Sequence, residues 1–313
     1  VDRYDCVIVG GGAAGLSAAL VLGRARRRTL LIDAGRQSNL PAHGIGGLLG
    51  FDGRSPAELY AQGRRELGAY PDVECVTDTA TEAWRGEGGF TVALAGGRRV
   101  GARQLLLAGG VDYQTPDIPG TQELWGTTVV HCPFCHGWEL RDQPLAVLAR
   151  GDKALHSALL VRGWTADLVV LTDGPDGIDA EAAAALAAAG IAVDEREVAA
   201  VQARDGRLAA VVFADGTSMA RSGLVVTTTL ERRSRLAEQL GAACHSGGPV
   251  VTDPIDVDKL GRTTVPGLFA AGDVCTQTPQ VANAIATGSV AATAMVESLL
   301  AEDFGLPFPP RSE

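Results

Sequence analysis

The sequence predicts an α/β protein with two nucleotide-binding βαβ units, the second set inside the chain of the first. Three observations carry this. Gly10, Gly12 and Gly15 follow the apolar run Cys6-Val7-Ile8-Val9 and open a stretch of small residues. A second apolar, helical, apolar succession runs over 145–149, 153–162 and 168–171. A late apolar run, 268–271, ends in Gly272-Asp273 and precedes a long alanine-rich helical pattern. Short apolar runs bounded by glycine are the mark of strands buried on both faces of a parallel sheet.

The elements follow in order. A strand over Val7–Val9, a helix from Ala13 to Leu22 and a strand over Leu30–Ile32 make the first βαβ unit. In the turn between, Gly10 permits the tight bend and Gly12 lets the backbone approach a pyrophosphate. Gly15 lets helix and strand pack closely, and the helix N-terminus faces the phosphates. Asp33 closes the second strand at the place of a ribose-binding acid. Ser55, Pro56 and Glu58 read as N-cap, N1 and N3 of a helix. Phe90–Leu94 with Gly96-Gly97 reads as a hairpin, and Leu105–Leu107 as a buried strand entering the turn Ala108-Gly109-Gly110. Pro116, Pro119 and Gly120 form a hinge-like stretch. The second βαβ unit follows, and Asp179 caps a helix that stops at Gly190. Asp273, at a strand end, can bind a ribityl hydroxyl, although Gly-Asp taken alone reads as an ordinary turn. The last helix, from Gln280-Val281 to about Leu300, is placed to aim its positive end at a flavin. The tail Pro307–Pro310 is expected to be extended and poorly ordered.

Composition excludes some functions. The chain has 313 residues, 46% hydrophobic, and a formal charge of −10, which gives a sizeable core and an acidic protein. The densest basic run, Arg24 and Arg26–Arg28, lies at a helix end, where cations complement the dipole. No basic footprint for nucleic acid or anionic membrane is present. No apolar run of about 18 residues is read, so no membrane span is expected. The start of the sequence shows no signal-peptide pattern, and a cytoplasmic protein is expected. Cys6, Cys75, Cys244 and Cys275 are scattered and read as reduced, packed thiols.

The chemistry concentrates in Cys132-Pro133-Phe134-Cys135-His136. A Cys-x-x-Cys pair cycles between dithiol and disulfide and lowers its thiol pKa. A zinc site from His131, Cys132, Cys135 and His136 is disfavoured because no second, separated ligand pair exists, and no metal is expected. His136 titrates near neutrality and suits a general base. His131 and Glu139 are secondary candidates that could merely cap or orient. His43 could approach a flavin from a glycine-rich loop, though a structural role is the simpler reading.

The segments Val9–Gly15, Leu107–Gly110, Cys132–His136 and Thr264–Asp273 resemble, in the same order, the low-molecular-weight thioredoxin reductases. The resemblance spans nearly the whole chain. It implies two Rossmann-like, three-layer domains: an FAD domain of residues 1–115 and 243–313, and an inserted NAD(P)H-type domain at 116–242 carrying the cysteine pair. It implies FAD as cofactor, held by Gly10, Gly12, Ala14, Gly15, Asp33, Ala108, Gly109, Gly272, Asp273, Gln280 and Val281, and a homodimer. It also implies that Cys135 is the flavin-proximal thiol and Cys132 the interchange thiol.

Two departures redirect the expected activity. In the inserted unit Ala149 replaces the first fingerprint glycine and Arg150 fills a small position; only Gly151 and Ala154 keep the pattern. The next strand ends Leu171-Thr172-Asp173-Gly174, with no basic cluster for a 2′-phosphate and an acid that repels one. This unit is expected to keep its fold and to have lost most affinity for NADPH. Second, His136 stands where thioredoxin reductases carry Asp. That form resembles the flavin-dependent dithiol oxidases that close the disulfide of holomycin- and gliotoxin-type antibiotics. The resemblance implies a small dithiol as substrate and O2 as acceptor, with electrons passing through Cys132 and Cys135 to FAD and hydrogen peroxide as product. An NAD(P)H-dependent reductase of thioredoxin or another disulfide is the alternative, and a non-catalytic redox sensor a third. No pocket residue identifies the dithiol.

Overall fold

A computed structural model describes residues 2–175 and 177–311. The chain divides into two compact units. One comprises Val1–Leu40, Pro56–Tyr113 and Thr229–Glu313; the other comprises Pro41–Ser55 and Gln114–Thr228.

In the first unit the strands run in the order Val73–Thr77, Thr29–Asp33, Asp2–Val9, Arg99–Leu107, Gly89–Leu94, Ala80–Gly86, with Leu268–Ala270 also pairing to Arg99–Leu107. The strands of the nucleotide-binding half are parallel: Val9 is level with Ile32 and with Leu107, and Leu107 with Ala270. Their carboxyl ends, with Gly10, Asp33, Ala108 and Gly272, therefore share one edge of the sheet, where open α/β sheets bind ligands. Alternation fills both faces. Val7, Val9, Leu30, Ile32, Leu105 and Leu107 pack with Leu236, Ile255 and Val274. Cys6, Ile8, Leu31, Leu106 and Phe269 pack with the helices Ala13–Arg24 and Val281–Phe304. Those helices touch so closely that a Cβ on Gly288 would lie 2.1 Å from the Ala14 carbonyl oxygen.

Several expectations are corrected here. Val281–Phe304 is long and apolar enough to cross a bilayer, contrary to the absence of such a run read from the sequence. Its Ala284, Ala291, Ala292, Met295 and Leu299 are instead buried in the core it shares with Ala13–Arg24. The tail is anchored rather than loose. Arg262, paired to buried Asp258 at 2.7 Å, donates to the carbonyls of Pro309 (2.5 Å) and Pro310 (2.8 Å), and Arg311 reaches Asp256 at 2.7 Å. The stretch after Thr229, which the sequence reading assigns to the insertion as far as 242, packs with the first unit. Thr229–Arg232 pairs with Val111–Gln114, and Gln239 accepts a bond from the Ala83 amide.

The second unit carries a five-stranded sheet, ordered Ala192–Asp194, Leu168–Leu171, Leu145–Leu148, Gly223–Val226, Val129–Val130, with every pairing parallel. The helix Gly151–Val161 follows Leu145–Leu148. Asp179 caps Ala180–Ala188 by accepting from the Ala182 amide at 2.8 Å. A three-stranded antiparallel sheet, Val198–Arg204, Arg207–Phe213 and Ser218–Ala220, was not signalled by the sequence pattern.

Candidate functional site

The short strand Val129–Val130 leads directly into the helix Pro133–Leu140. Pro133 suits its first turn because proline fixes φ and the amide it lacks has no partner there. Cys132 is the extended N-cap residue, and its carbonyl accepts from the amides of Cys135 and His136, each at 3.2 Å. This turn brings the Cys132 and Cys135 sulfurs to 2.6 Å of each other as thiols. The Cys132 thiol is held below its ordinary value, first by the hydrogen bond from Cys135, then by the amides of Cys135 and Phe134, against the opposing effect of burial. Amides at a helix start favour a thiolate for the same reason that they favour any anion.

His136 lies in the next position. Both ring nitrogens are buried and have no hydrogen-bond partner among the described residues. Burial pushes its pKa down, with the carbonyls of Cys132 and Gly126 and the charge of Glu139 opposing in part. Burial thus keeps the imidazole neutral, the form a general base requires. His131 differs. It stacks on Trp125, with ring centroids 5.8 Å apart, and burial, with a contribution from His136, takes its pKa to about 4. Of the two histidines, His131 is held by a ring stack. Glu139 is exposed, and so is His43, which lies in the segment Pro41–Ser55 that clusters with the cysteine unit.

Two contacts at this helix were not found by sequence reasoning. Gly46 sits against the Cys135 backbone, where a Cβ would come within 2.6 Å of the carbonyl oxygen. Trp164 covers Gly137, and its ring meets that of Phe134 edge-on at 5.6 Å. Phe134 and Trp138, one helical turn apart, stand 61% and 67% exposed, with the Arg141 guanidinium 3.8 Å from the Trp138 ring. An apolar, cation-edged surface thus adjoins the thiols.

The first unit holds a cradle. Gly10 has φ +114, and a Cβ there would be 2.1 Å from the Ala108 carbonyl oxygen; one on Gly15 would be 1.8 Å from that of Gly10. Only glycine fits either place. Beside Gly12 the nearest atom is a Gln37 carbon at 3.8 Å, so the turn is open on its outer side, and nothing crowds Gly109. The helix after Gly12 and the one after Gln280, starting at Val281, lack a side-chain cap and an acid in the first turn. Both therefore present amides to an anion or an electron-rich ring. The Asp33 carboxylate accepts from the Gly35 amide (2.8 Å) and the Gln37 side chain (3.0 Å) and lies against Gly11. Asp273 is half-buried, its Oδ1 is buried with no partner among the described residues, and desolvation raises its pKa to about 6 against the pull of Arg233. Arg233, held by Asp112 at 2.6 Å and Ser38 at 3.0 Å, gave no signal in the sequence. A buried carboxylate oxygen without a donor, at a strand end between two uncapped helices, fits the hydroxyl-rich chain of a flavin dinucleotide.

The corresponding turn of the second unit is closed. The Gly151 amide, first of its helix, donates to the Gly177 carbonyl at 2.5 Å. The Arg150 guanidinium donates to the Asp173 carbonyl, and the Asp173 side chain accepts from the Val198 amide at 2.7 Å.

A dinucleotide cradle and a reducible cysteine pair on two α/β units define a flavoprotein of thiol–disulfide exchange. Residues 4–288 match the family described as pyridine nucleotide-disulphide oxidoreductase, and the chain belongs to that family. It is thioredoxin-reductase-like, and its cofactor is FAD. It is 32% identical to thioredoxin reductase tcpT of Claviceps purpurea, with 95% of each chain covered. Among solved structures it is 39% identical to an oxidoreductase from Agrobacterium tumefaciens (TM-score 0.89; 95% of this chain and 99% of that one). It is 37% identical to HlmI (TM-score 0.90; 97% and 94%).

Proposed function

We propose that this protein is an FAD-dependent dithiol oxidase that closes an intramolecular disulfide in a small dithiol natural product, with O2 as acceptor. The observation that carries this reading is the closed turn of the inserted unit. The amide a nucleotide pyrophosphate needs is already bonded to Gly177. That occupied amide supports a thiol substrate, rather than a pyridine nucleotide, as the source of the electrons.

The steps on this chain's own residues follow. A substrate thiolate attacks Cys132 of the oxidised pair; its sulfur bonds to Cys132 as the Cys132–Cys135 bond breaks, and Cys135 leaves as the thiolate. His136 takes the proton of the second substrate thiol, which attacks the first substrate sulfur and releases Cys132 as a thiolate. The substrate has lost two electrons and the pair has gained them. FAD, when bound, supplies the two-electron acceptor for the reduced pair and the site of its reoxidation by O2. The exposed Phe134 and Trp138 suit an apolar substrate body beside the reacting sulfurs. The acidic surface gives no foothold for nucleic acid, and the reading places the enzyme in the cytoplasm as a homodimer.

Oxygen consumption tests the proposal. With a small dithiol and no nucleotide, dithiol loss, O2 uptake and peroxide formation should be equimolar. Thiol oxidation only in the presence of NAD⁺ or NADP⁺, without O2 uptake, would rule the acceptor out. The alternative, an NAD(P)H-dependent disulfide reductase, is supported by the family description and by the thioredoxin reductase names of relatives such as tcpT.

A further inference from the structure

We infer that Gly46 is a positioning residue for the cysteine pair: because it carries no side chain, a braced loop rests directly on the Cys135 backbone and fixes the turn that holds the two sulfurs together. Such a role serves the pair in either direction of electron flow and is independent of the oxidase reading.

The loop is residues 41–55 of the second unit. Its start is set against the body of that unit: a Cβ on Gly126 would lie 3.2 Å from the Ala42 amide nitrogen and from the Pro41 carbonyl carbon. The chain then doubles back on itself, so that a Cβ on Gly44 would lie 2.7 Å from the Gly53 carbonyl oxygen. The Ile45 amide donates to the Arg54 carbonyl at 2.9 Å, and the Ile45 carbonyl accepts from the Gly53 amide at 2.8 Å. The Ile45 side chain is buried. On the other side of Gly46, the Gly47 amide donates to the Asp52 carboxylate at 2.8 Å. Gly46 is thus held between two tied neighbours.

Backbone conformation does not demand glycine at 46, as it does at Gly47, where φ is +76. What excludes a side chain is Cys135. A Cβ on Gly46 would lie 2.6 Å from the Cys135 carbonyl oxygen and 3.4 Å from its Cα, so either the loop or the helix start would have to move. Bond lengths decide which yields. The ties on either side of Gly46, at 2.8–2.9 Å, are of ordinary strength for N–H···O bonds. The turn that carries Cys135 is closed by two 3.2 Å bonds to one acceptor, the Cys132 carbonyl, at the long end of that range. The helix start is therefore the softer partner. Displacing Cys135 disturbs both its thiol and its amide. These are two of the three groups that hold the Cys132 thiol low, the thiol being foremost.

The FAD-loaded wild type and the variants Gly46→Ala, Asp52→Ala and Leu49→Ala are reduced under anaerobic conditions, and alkylation of Cys132 by iodoacetamide is followed against pH by peptide mapping. Melting temperature and flavin content check the fold. Gly46→Ala should lower the Cys132 rate at neutral pH by about three- to tenfold, the thiolate lost when the pKa rises by about half a unit to one unit, and leave the rate at high pH unchanged. Asp52→Ala, which releases the Gly47 amide, should lower it in the same sense by a smaller factor and stands in where Gly46→Ala does not fold. Leu49 is fully exposed in the same loop, and Leu49→Ala should match wild type. A folded Gly46→Ala, or in its place Asp52→Ala, with the wild-type pH profile would overturn the role of Gly46. So would an equal drop in Leu49→Ala. Neither substrate, nucleotide nor oxygen enters the measurement, so its failure would leave the oxidase reading standing.

Discussion

The Cys132 and Cys135 sulfurs lie 2.6 Å apart across the first turn of the Pro133–Leu140 helix, with Cys132 at the N-cap and Cys135 one turn in. The first thiol is thereby stabilised as an anion by the second and by the helix amides, and the second is placed to resolve or be released. That asymmetry supports the proposed attack at Cys132 and release at Cys135.

Replacing Cys135 by Ser removes the leaving thiolate and the route for the electron pair. The Cys135→Ser variant should bind FAD and form a mixed disulfide with substrate at Cys132, yet show no sustained oxidation. Intact-protein mass spectrometry detects the adduct. Continued turnover would remove Cys135 from the relay.

The same geometry predicts which thiol is reactive. In the reduced protein Cys132 should be alkylated by iodoacetamide well below the pH at which an ordinary thiol reacts. Cys275, which burial pushes up to about 12, and Cys6, raised further by burial, should stay unmodified. Peptide mapping of alkylation against pH checks the order.

The proposed mechanism uses His136 as base in its neutral form. Because burial lowers its pKa below the ordinary 6.5, activity should hold through neutrality and fall only as the pH drops through that lowered value. His136→Ala should cut kcat by about 10²–10⁴-fold, the usual worth of a general base, and abolish the acidic limb of the pH profile. His131→Phe, which keeps a ring for Trp125, should leave that limb in place.

Asp273 offers a thermodynamic check on the cofactor site. Burial raises its pKa in the folded protein to about 6, from an ordinary 3.8. The raised value means that the apoprotein binds this proton more tightly than the unfolded chain does. The group's contribution to stability is whole at the acidic end and is lost as the pH rises through about 6, a difference on the order of 3 kcal/mol. Asp273→Asn, neutral throughout, should therefore make the apoprotein more stable than wild type at neutral pH and leave it equal near pH 4. It should also weaken FAD binding by about tenfold, the worth of a hydrogen bond to a charged group. Chemical denaturation of the apoproteins and flavin titration measure the two effects separately.

What the sequence made legible was what sterics and local chemistry leave as a trace. Gly10 and Gly15 stand out because any side chain there would overlap backbone, and Asp179 because a cap is a local device. The three-stranded sheet 198–220 escaped notice because its first strand buries little besides Val201, so its alternation is faint. The packing of Gly46 on Cys135 and the charge of Arg233 near Asp273 join residues far apart in sequence, which no local pattern records. The sequence already ranks His136 above His131 by its place after the cysteine pair, but the stack of His131 on Trp125 comes only from the fold. The tail looked loose from its prolines, and only the fold supplies Arg262 to hold it.

The direction of electron flow is the central claim, and anaerobic stopped-flow absorbance of the oxidised flavin tests it most directly. The protein is mixed separately with a small dithiol, with NADH and with NADPH, and oxygen is then admitted. Rapid bleaching by the dithiol, none by either nucleotide, and fast recovery in oxygen are the expected results. Rapid bleaching by NADH or NADPH would contradict the account and make the protein a reductase.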